Sequence, residues 1–431
     1  MKAWRGRVGL MLMIVAGTGC SAATSAEDGD YEAGLEQEHV SDALEAAESP
    51  RVNWWQSGRT QRNTSLNPFE TTLSVATVPG LHEIWKYTIP YATQSWADGE
   101  LSLLNGQLYS SRLRAADYTG EEFALNEDTG AVIWRALGAP GRGRRHVGVA
   151  SNGRVYVKEG QANDNDSDNK YLFALRASNG QPIPWTRQPR VDGEEFYGSS
   201  FTAAGRGVFQ TSIQSTENGT CFLARMSVDT GLYSGMVYDC YSEARPIVAD
   251  GRVFVPGSPS YQSFDAETLA PIPRTDAPDE PFFAPMIAFG GFLYGLEYDE
   301  AGDGSVASIN IRTGKRAWST ATLGISLATV SDDSVFVATR SFGNQPAGLS
   351  RFDRRTGSLL YSTVLPASAA TLSNANGVLY LRTSSGALLA IDGSNGQVLT
   401  TVAGGFTGEP IVANGRVYVS TTNAIIALGV D

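Results

Sequence analysis

The amino-acid sequence predicts an all-β fold, an eight-bladed β-propeller of four-stranded antiparallel blades whose last blade is closed by an N-terminal strand. Three observations carry that expectation. A tight turn of the form Asn-Gly or Asp-Gly, followed by an alternating strand, recurs from Asn105 onward. A second strand ending in Thr-Gly or Asn-Gly, and then a third strand, follow it each time. The copies start near 105, 151, 204, 250, 290, 332, 376 and 414, a period of about 44 residues, and eight such units fill the 349 residues from Glu83 to Asp431.

The first element reads NGQLY at 105, NGRVYV at 152, DGRVFV at 250, NGVLYL at 376 and NGRVYV at 414, with weaker copies at 204, 290 and 332. Asn or Asp before Gly supplies the positive-φ pair of a hairpin turn, and Val, Tyr and Phe alternating with polar residues form a half-buried strand. The second element reads FALNEDTGAVIW at 123, LFALRASNGQPIPW at 172, FLARMSVDTG at 222, ASINIRTGKRAW at 307, LSRFDRRTGSLLY at 349 and LLAIDGSNGQVL at 388, with a degenerate copy, SFDAETLAPI, at 263. A strand of small residues before each Asn-Gly turn, such as Glu409 to Ala413, supplies the fourth member. One such sheet cannot cover its own faces, whereas eight arranged radially cover one another. The eighth unit stops at IIALGVD without a fourth strand, and HEIWKY at 82 to 87 has the form of a Trp-bearing fourth strand without a blade. The N-terminal strand is therefore expected to complete the last blade and remove the open edge.

With 42% hydrophobic and 18% charged residues and 47 Gly, the composition is that of a soluble globular protein rather than a disordered, collagenous or coiled-coil one. The net charge of −12 is uneven. Residues 21 to 50 hold nine acids and no Lys or Arg, which leaves residues 51 to 431 at −6. No basic stripe is evident, so nucleic acid is not an expected partner.

Residues 1 to 20 read as a secretory signal: Lys2, Arg5 and Arg7 precede a short apolar core from Val8 to Ala16 and small residues at 17 to 19. Small residues followed by Cys20 resemble the lipobox of bacterial lipoproteins, which implies lipidation of Cys20, a membrane anchor and, with Ser21 next, outer-membrane retention. Gly17 stands where such signals usually carry Leu or Val, and ordinary cleavage after Ala23 or Ala26 gives the alternative of a periplasmic or secreted chain. Residues 21 to 50 fit an acidic flexible tether, with a short amphipathic helix around Val40 to Ala47 as the competing reading. Residues 51 to 82 form a lead-in, and 83 to 431 the propeller.

The repeats A-L-x-x-x-T-G-x-x-x-W are similar to those of the PQQ-like β-propeller family, which contains quinoprotein dehydrogenases and a lipoprotein component of the outer-membrane β-barrel assembly machinery. NWWQSGRTQRNTSLNP at 53 to 68 also resembles the lead-in before the first blade of such proteins. The resemblance implies that Trp85, Trp134, Trp185 and Trp318 pack between neighbouring blades, with Tyr361 and Leu399 taking that place later in the chain. The quinoprotein dehydrogenases carry two adjacent cysteines over their cofactor, and this sequence has none, so PQQ is not expected to bind.

The Asn-Gly and Thr-Gly turns must share one face of the ring, and function is sought on the other, where the longer connections lie. Two segments of the second blade stand out there. Arg142, Arg144, Arg145 and His146 form a basic cluster, read as a partner-binding patch. Asp164, Asp166 and Asp168 have the spacing of a calcium loop, but Leu175 stands where a closing Glu belongs, and a solvated polar loop is the competing reading. Cys221 and Cys240 fall opposite each other in a hairpin centred between Thr230 and Gly231, which suggests a disulfide in an oxidising compartment, the alternative being two buried thiols. No Ser, His and acid set, P-loop or CxxC pair supplies catalytic chemistry.

The expectation is therefore a monomeric, noncatalytic propeller of the cell envelope that binds envelope proteins, with outer-membrane protein assembly as the role the resemblance implies. The alternatives are a PQQ-dependent or related oxidoreductase and a ligand or polysaccharide binder using Tyr197, Tyr261 or Phe342 as a platform.

Overall fold

The computed structural model describes residues 51–90, 100–114, 119–138, 145–159, 171–184, 196–214, 221–240, 245–256, 261–273, 282–298, 304–322, 325–339, 341 and 346–431. Apart from one 3-10 turn, Val78–Gly80, every regular element described is a strand. They form eight small sheets arranged as an eight-bladed propeller. Blade 1 contains Ser102–Leu104, Gln107–Leu113, Gly120–Asn126 and Val132–Leu137, hydrogen-bonded in that order.

The first strands of blades 2 to 8 are Arg145–Ser151, Phe196–Ala204, Ile247–Ala249, Phe282–Phe289, Ile325–Val330, Ala369–Ala375 and Thr407–Ala413. From blade 1 to blade 7 each first strand lies against the first strand of the next blade, so together they ring the axis. Blades 2 and 4 show three strands among the described residues, with bridges from Leu175 to Pro182 and from Phe264 to Pro271 where the fourth begins. No helix of the described residues is long and apolar enough to cross a membrane.

The turn chemistry is as the sequence requires. Asn105 and Gly106 have φ of 50° and 79°, and the pairs at 152, 250, 376 and 414 repeat those values closely. The Thr-Gly and Asn-Gly turns of one blade are tied together, because the Glu127, Ala177, Ala266 and Gly393 amides donate to the Gly106, Gly153, Gly251 and Gly377 carbonyls at 2.8–3.0 Å. Both sets of turns therefore share one face, and the longer connections lie on the other.

Closure also follows the expectation. The strand His82–Thr88 pairs antiparallel with Ala424–Gly429, with Trp85 opposite Ala427 and Glu83 opposite Leu428, and it supplies the fourth strand of blade 8. The hydrophobic cluster around it joins blades 7, 8 and 1 through Tyr380, Tyr418, Leu108 and Trp85.

Adjacent blades are joined by a recurring contact. The Trp85 indole N–H donates to the Glu127 carbonyl of blade 1 at 2.9 Å, and the Tyr418 hydroxyl, on the same blade as Trp85, donates to that carbonyl at 3.4 Å. Trp134 and Tyr109 of blade 1 share the Ala177 carbonyl of blade 2 in the same way, at 2.8 and 3.3 Å. Trp318 of blade 5 donates to the Arg354 carbonyl of blade 6, and Tyr361 of blade 6 donates to the Gly393 carbonyl of blade 7. The glycine of the receiving turn lies flat against the ring: a methyl on Gly130, Gly180 or Gly357 would stand 2.4–2.6 Å from the indole of Trp85, Trp134 or Trp318. Each of these glycines also has a φ near +70°. Trp185 lies outside the described residues.

Two departures follow from the same geometry. Leu399 does not take the tryptophan position in blade 7. The ladder sets Thr400 opposite Ala390, as Trp134 stands opposite Ala124, and leaves Leu399 as the unpaired residue of a bulge, packed on the cluster that contains Val78 and Leu81. In blade 3 the position is Gly235, opposite Arg225, and the facing turn of blade 4 carries Leu269 with a φ of 56° where other turns have glycine. A methyl on Gly235 would stand 3.3 Å from Leu269 Cδ1, so the large and small partners have exchanged sides. Tyr261, read from the sequence as an exposed platform, is instead buried, 6.0 Å from Phe254.

Trp134→Ala should lower stability by about 3–5 kcal/mol, read by chemical denaturation. Gly180→Ala should also destabilise, and the double variant should cost less than the sum, because loss of the indole vacates the space the methyl needs. Burial pushes the Tyr156 and Tyr361 phenols up to about 12, above the unfolded value near 10. Their contribution to stability is complete below pH 10 or so and is lost as pH rises through about 12. The denaturation midpoint should fall across that window, and Tyr361→Phe should make the fall shallower.

Candidate functional site

The lead-in, expected only to precede the first blade, runs round the axis and bonds to the first strand of all eight blades in order. Trp54 and Leu103 of blade 1 exchange backbone hydrogen bonds at 2.7 and 2.8 Å. The carbonyls of Trp55, Gln61 and Arg62 accept from the amides of Ala150, Val248 and Ala288 in blades 2, 4 and 5 at 2.8–2.9 Å. Gln56 Nε2 donates to Thr202 Oγ1 of blade 3, and Thr329 Oγ1 of blade 6 donates to the Thr64 carbonyl. Leu66–Asn67 adds a short parallel strand to blade 7, and Asn67 Nδ2 reaches the Val412 carbonyl of blade 8.

Most of these contacts fall on the residue two before the Asn-Gly turn or its counterpart. The segment therefore closes the channel at the tight-turn face. Its backbone is irregular, with positive φ at Gly58, Arg59, Asn63 and Ser65, and Trp54 is wholly buried.

Glu409, in the first strand of blade 8, anchors this plug. Its Oε2 accepts from Ser57 Oγ at 2.6 Å and from the Gly58 amide at 2.8 Å, and its Oε1 accepts from Ser65 Oγ at 2.7 Å. Arg245, just before the first strand of blade 4, donates to the Ser57 carbonyl at 2.6 Å and reaches Glu100 of blade 1 at 3.4 Å. Arg62 in the plug is held 3.9 Å from Asp250, and burial lowers its pKa, an effect partly opposed by that carboxylate.

Above the plug lies a cup of about 220 Å³, with Trp54 and Ser57 at its base and Glu100, Thr371, Arg382 and Glu409 among its walls. Glu100 and Gly408 stand at the ends of first strands remote from the tight turns, so the cup faces the long connections. Arg382 donates to the Gly408 carbonyl at 2.7 Å.

None of the described residues that line the cup was singled out from the sequence as a site residue. Arg142, Arg144, Asp164, Asp166 and Asp168 fall outside the described residues, as does Cys20. Arg145 and His146 begin the first strand of blade 2, in register with Glu159 and Lys158, at the long-connection end. Cys221 is disulfide-bonded, and its register partner is Cys240. The axial site went unread because most of its bonds to the ring involve main-chain groups. The available signal was the polar residues Thr202, Thr329, Asn374 and Glu409 in otherwise apolar or small-residue strands.

Fold and repeat together are similar to those of PQQ-like repeat β-propellers. Residues 223–430 match the family model described as outer membrane protein assembly factor BamB. Among solved structures, the quinohemoprotein alcohol dehydrogenase of Comamonas testosteroni is similar at 12% identity and a TM-score of 0.65, over 93% of this chain and 84% of the other. A europium-containing methanol dehydrogenase gives 12% and 0.61, over 88% and 91%. BamB from Moraxella catarrhalis gives 15% and 0.54, over 81% and 97%. At these identities the likeness is one of fold. No curated protein matches the chain in sequence.

Glu409→Ala should lower stability by about 2–4 kcal/mol, since three charge-assisted hydrogen bonds to the plug are lost, and Glu409→Gln by less. Denaturation followed by tryptophan fluorescence reads both.

Proposed function

We propose that the protein is a noncatalytic cell-envelope propeller that binds other proteins through its long-connection face, with outer-membrane protein assembly as the finer reading. The carrying observation is the state of the axis. One end is filled by the chain itself, and Glu100, Arg382 and Glu409 in the cup all have partners within the protein. Such a cup is built to hold structure together, and recognition is left to the long connections. The match of residues 223–430 to a model described as an assembly factor supports the same direction. Export through residues 1–20, an anchor on Cys20 and an acidic tether over 21–50 belong to this proposal, as does the basic cluster at 142–146 as a partner contact.

The alternative, a quinone-dependent oxidoreductase, is favoured by the dehydrogenases among the similar structures. The described lining does not fit PQQ, which carries three carboxylates: Glu100 and Glu409 would oppose it, while Arg382 is engaged with the Gly408 carbonyl and Arg245, beside the lining, with that of Ser57.

Two measurements separate the readings. The lipidated protein should retain envelope partners in a pull-down, and charge reversal at Arg142, Arg144 and Arg145 should release at least one of them; retention of every partner removes the basic cluster from the site. Incubated with PQQ and calcium, the protein should stay colourless, and stoichiometric uptake would overturn the noncatalytic reading.

A further inference from the structure

We propose that the tight-turn end of the channel is a peptide-recognition site, filled in cis by residues 53–67, and that this segment is bound as a separable ligand rather than built in as part of the ring. The proposal stands apart from the identity of any outside partner.

The ring is complete without the segment. All eight sheets, including the closing strand His82–Thr88, are formed by residues beyond it, and it adds to them only the two-residue strand Leu66–Asn67 and a single antiparallel bridge from Trp54 to Leu103 among the described residues. What holds it is a constellation with the features of a receptor. A circle of first-strand groups at one height, the amides of Leu103, Ala150, Val248, Ala288 and Asn374, meets the carbonyls of Trp54, Trp55, Gln61, Arg62 and Ser65. Main-chain recognition of this kind supplies affinity with little demand on side chains, while a few pockets supply choice.

The choice is made at three places. Trp54 is a wholly buried anchor in the cluster shared by blades 7, 8 and 1. Glu409 reads Ser57, the Gly58 amide and Ser65 together, and Arg245 reads the Ser57 carbonyl. Gly58 has a φ of +78°, and a methyl there would stand 2.0 Å from Asn63 Oδ1, so only glycine fits. The peptide recognised is thus an irregular, polar one with a buried Trp, a Ser-Gly pair three residues on and a second Ser that returns to the same carboxylate.

The test uses the full chain with a protease site inserted between Pro79 and Gly80, which are both exposed and precede the closing strand. After cleavage the N-terminal fragment should co-elute with the ring, and a fluorescent synthetic peptide of residues 51–79 should displace it in a dose-dependent manner. Peptides carrying Ser57→Ala with Ser65→Ala, or Gly58→Ala, should compete roughly 10-fold less well or worse. Because those changes are made in the peptide, folding of the ring is not in question. Glu409→Gln in the ring should narrow the difference between the parent and the doubly Ser-substituted peptide. Loss of the fragment on cleavage, a nicked ring that takes up no peptide short of unfolding, or equal competition by all the peptides would each overturn the proposal.

Discussion

The structure depends on a buried carbonyl that recurs at the interfaces of blades 8 and 1, 1 and 2, 5 and 6, and 6 and 7. Where Trp85 and Trp134 cross into the next blade, the carbonyls of Glu127 and Ala177 each accept an indole N–H and a tyrosine hydroxyl from the same neighbour. A buried carbonyl left unpaired is costly, and so is a buried indole N–H, so each satisfies the other only if the blades meet at a fixed height and angle. The glycine under the ring sets the distance. This explains why departures come in pairs. Blade 3 has Gly235 where an indole would stand, and blade 4 answers with Leu269 in the glycine place, at the strain of a positive φ. Blade 7 has Thr400, and its neighbour, blade 8, has no such turn, because the chain's end and its returning N-terminal strand meet there. A tryptophan at 400 would have no carbonyl of that kind to reach.

Closure is achieved twice over. At the rim, His82–Thr88 finishes the last sheet. At the axis, the segment before it visits every first strand in sequence and ends on Glu409 and Asn67 contacts to blade 8. Glu70 then accepts from the Gly415 amide in the last Asn-Gly turn, and Asn376 donates to the Leu73 carbonyl, so the path from axis to rim is itself tied to the ring. The two devices act on different surfaces. The rim strand removes an open edge, and the axial segment satisfies amides that face the channel from first strands with no partner on that side.

The ring was legible in the sequence because its determinants are local and repeated. Positive φ at Asn105, Asn152, Asn376 and Asn414 demands those residue types at those places, and the count of units exposed a missing strand at one end and a spare one at the other. The axial site was not legible, because the carbonyls of Trp55, Gln61 and Arg62 bind through atoms every residue has. The error at Leu399 has a similar cause: a bulge shifts the ladder by one residue, and spacing alone does not reveal on which side of the strand a residue emerges. Cys221 stands opposite Cys240 only because two bulges shift a ladder that starts with Met226 opposite Tyr233, so that register was legible from the two cysteines and not from the turn.

These constraints leave unequal freedom over the surface. The tight-turn face is committed twice, to the docking carbonyls and to the axial segment, so a changed turn there disturbs two blades and the plug at once. The rim keeps the outer strand Leu359–Val364, with Leu359, Leu360 and Val364 exposed and its outward backbone edge without a neighbour among the described strands. The connections on the other face carry no part of the repeating contact. Eleven residues separate Glu159 from Tyr171, where the Asn-Gly turns use two. Length and charge can change there without cost to the contact that holds the blades. The contact that joins the blades is thus confined to the tight-turn face, where the docking carbonyls and the axial segment meet.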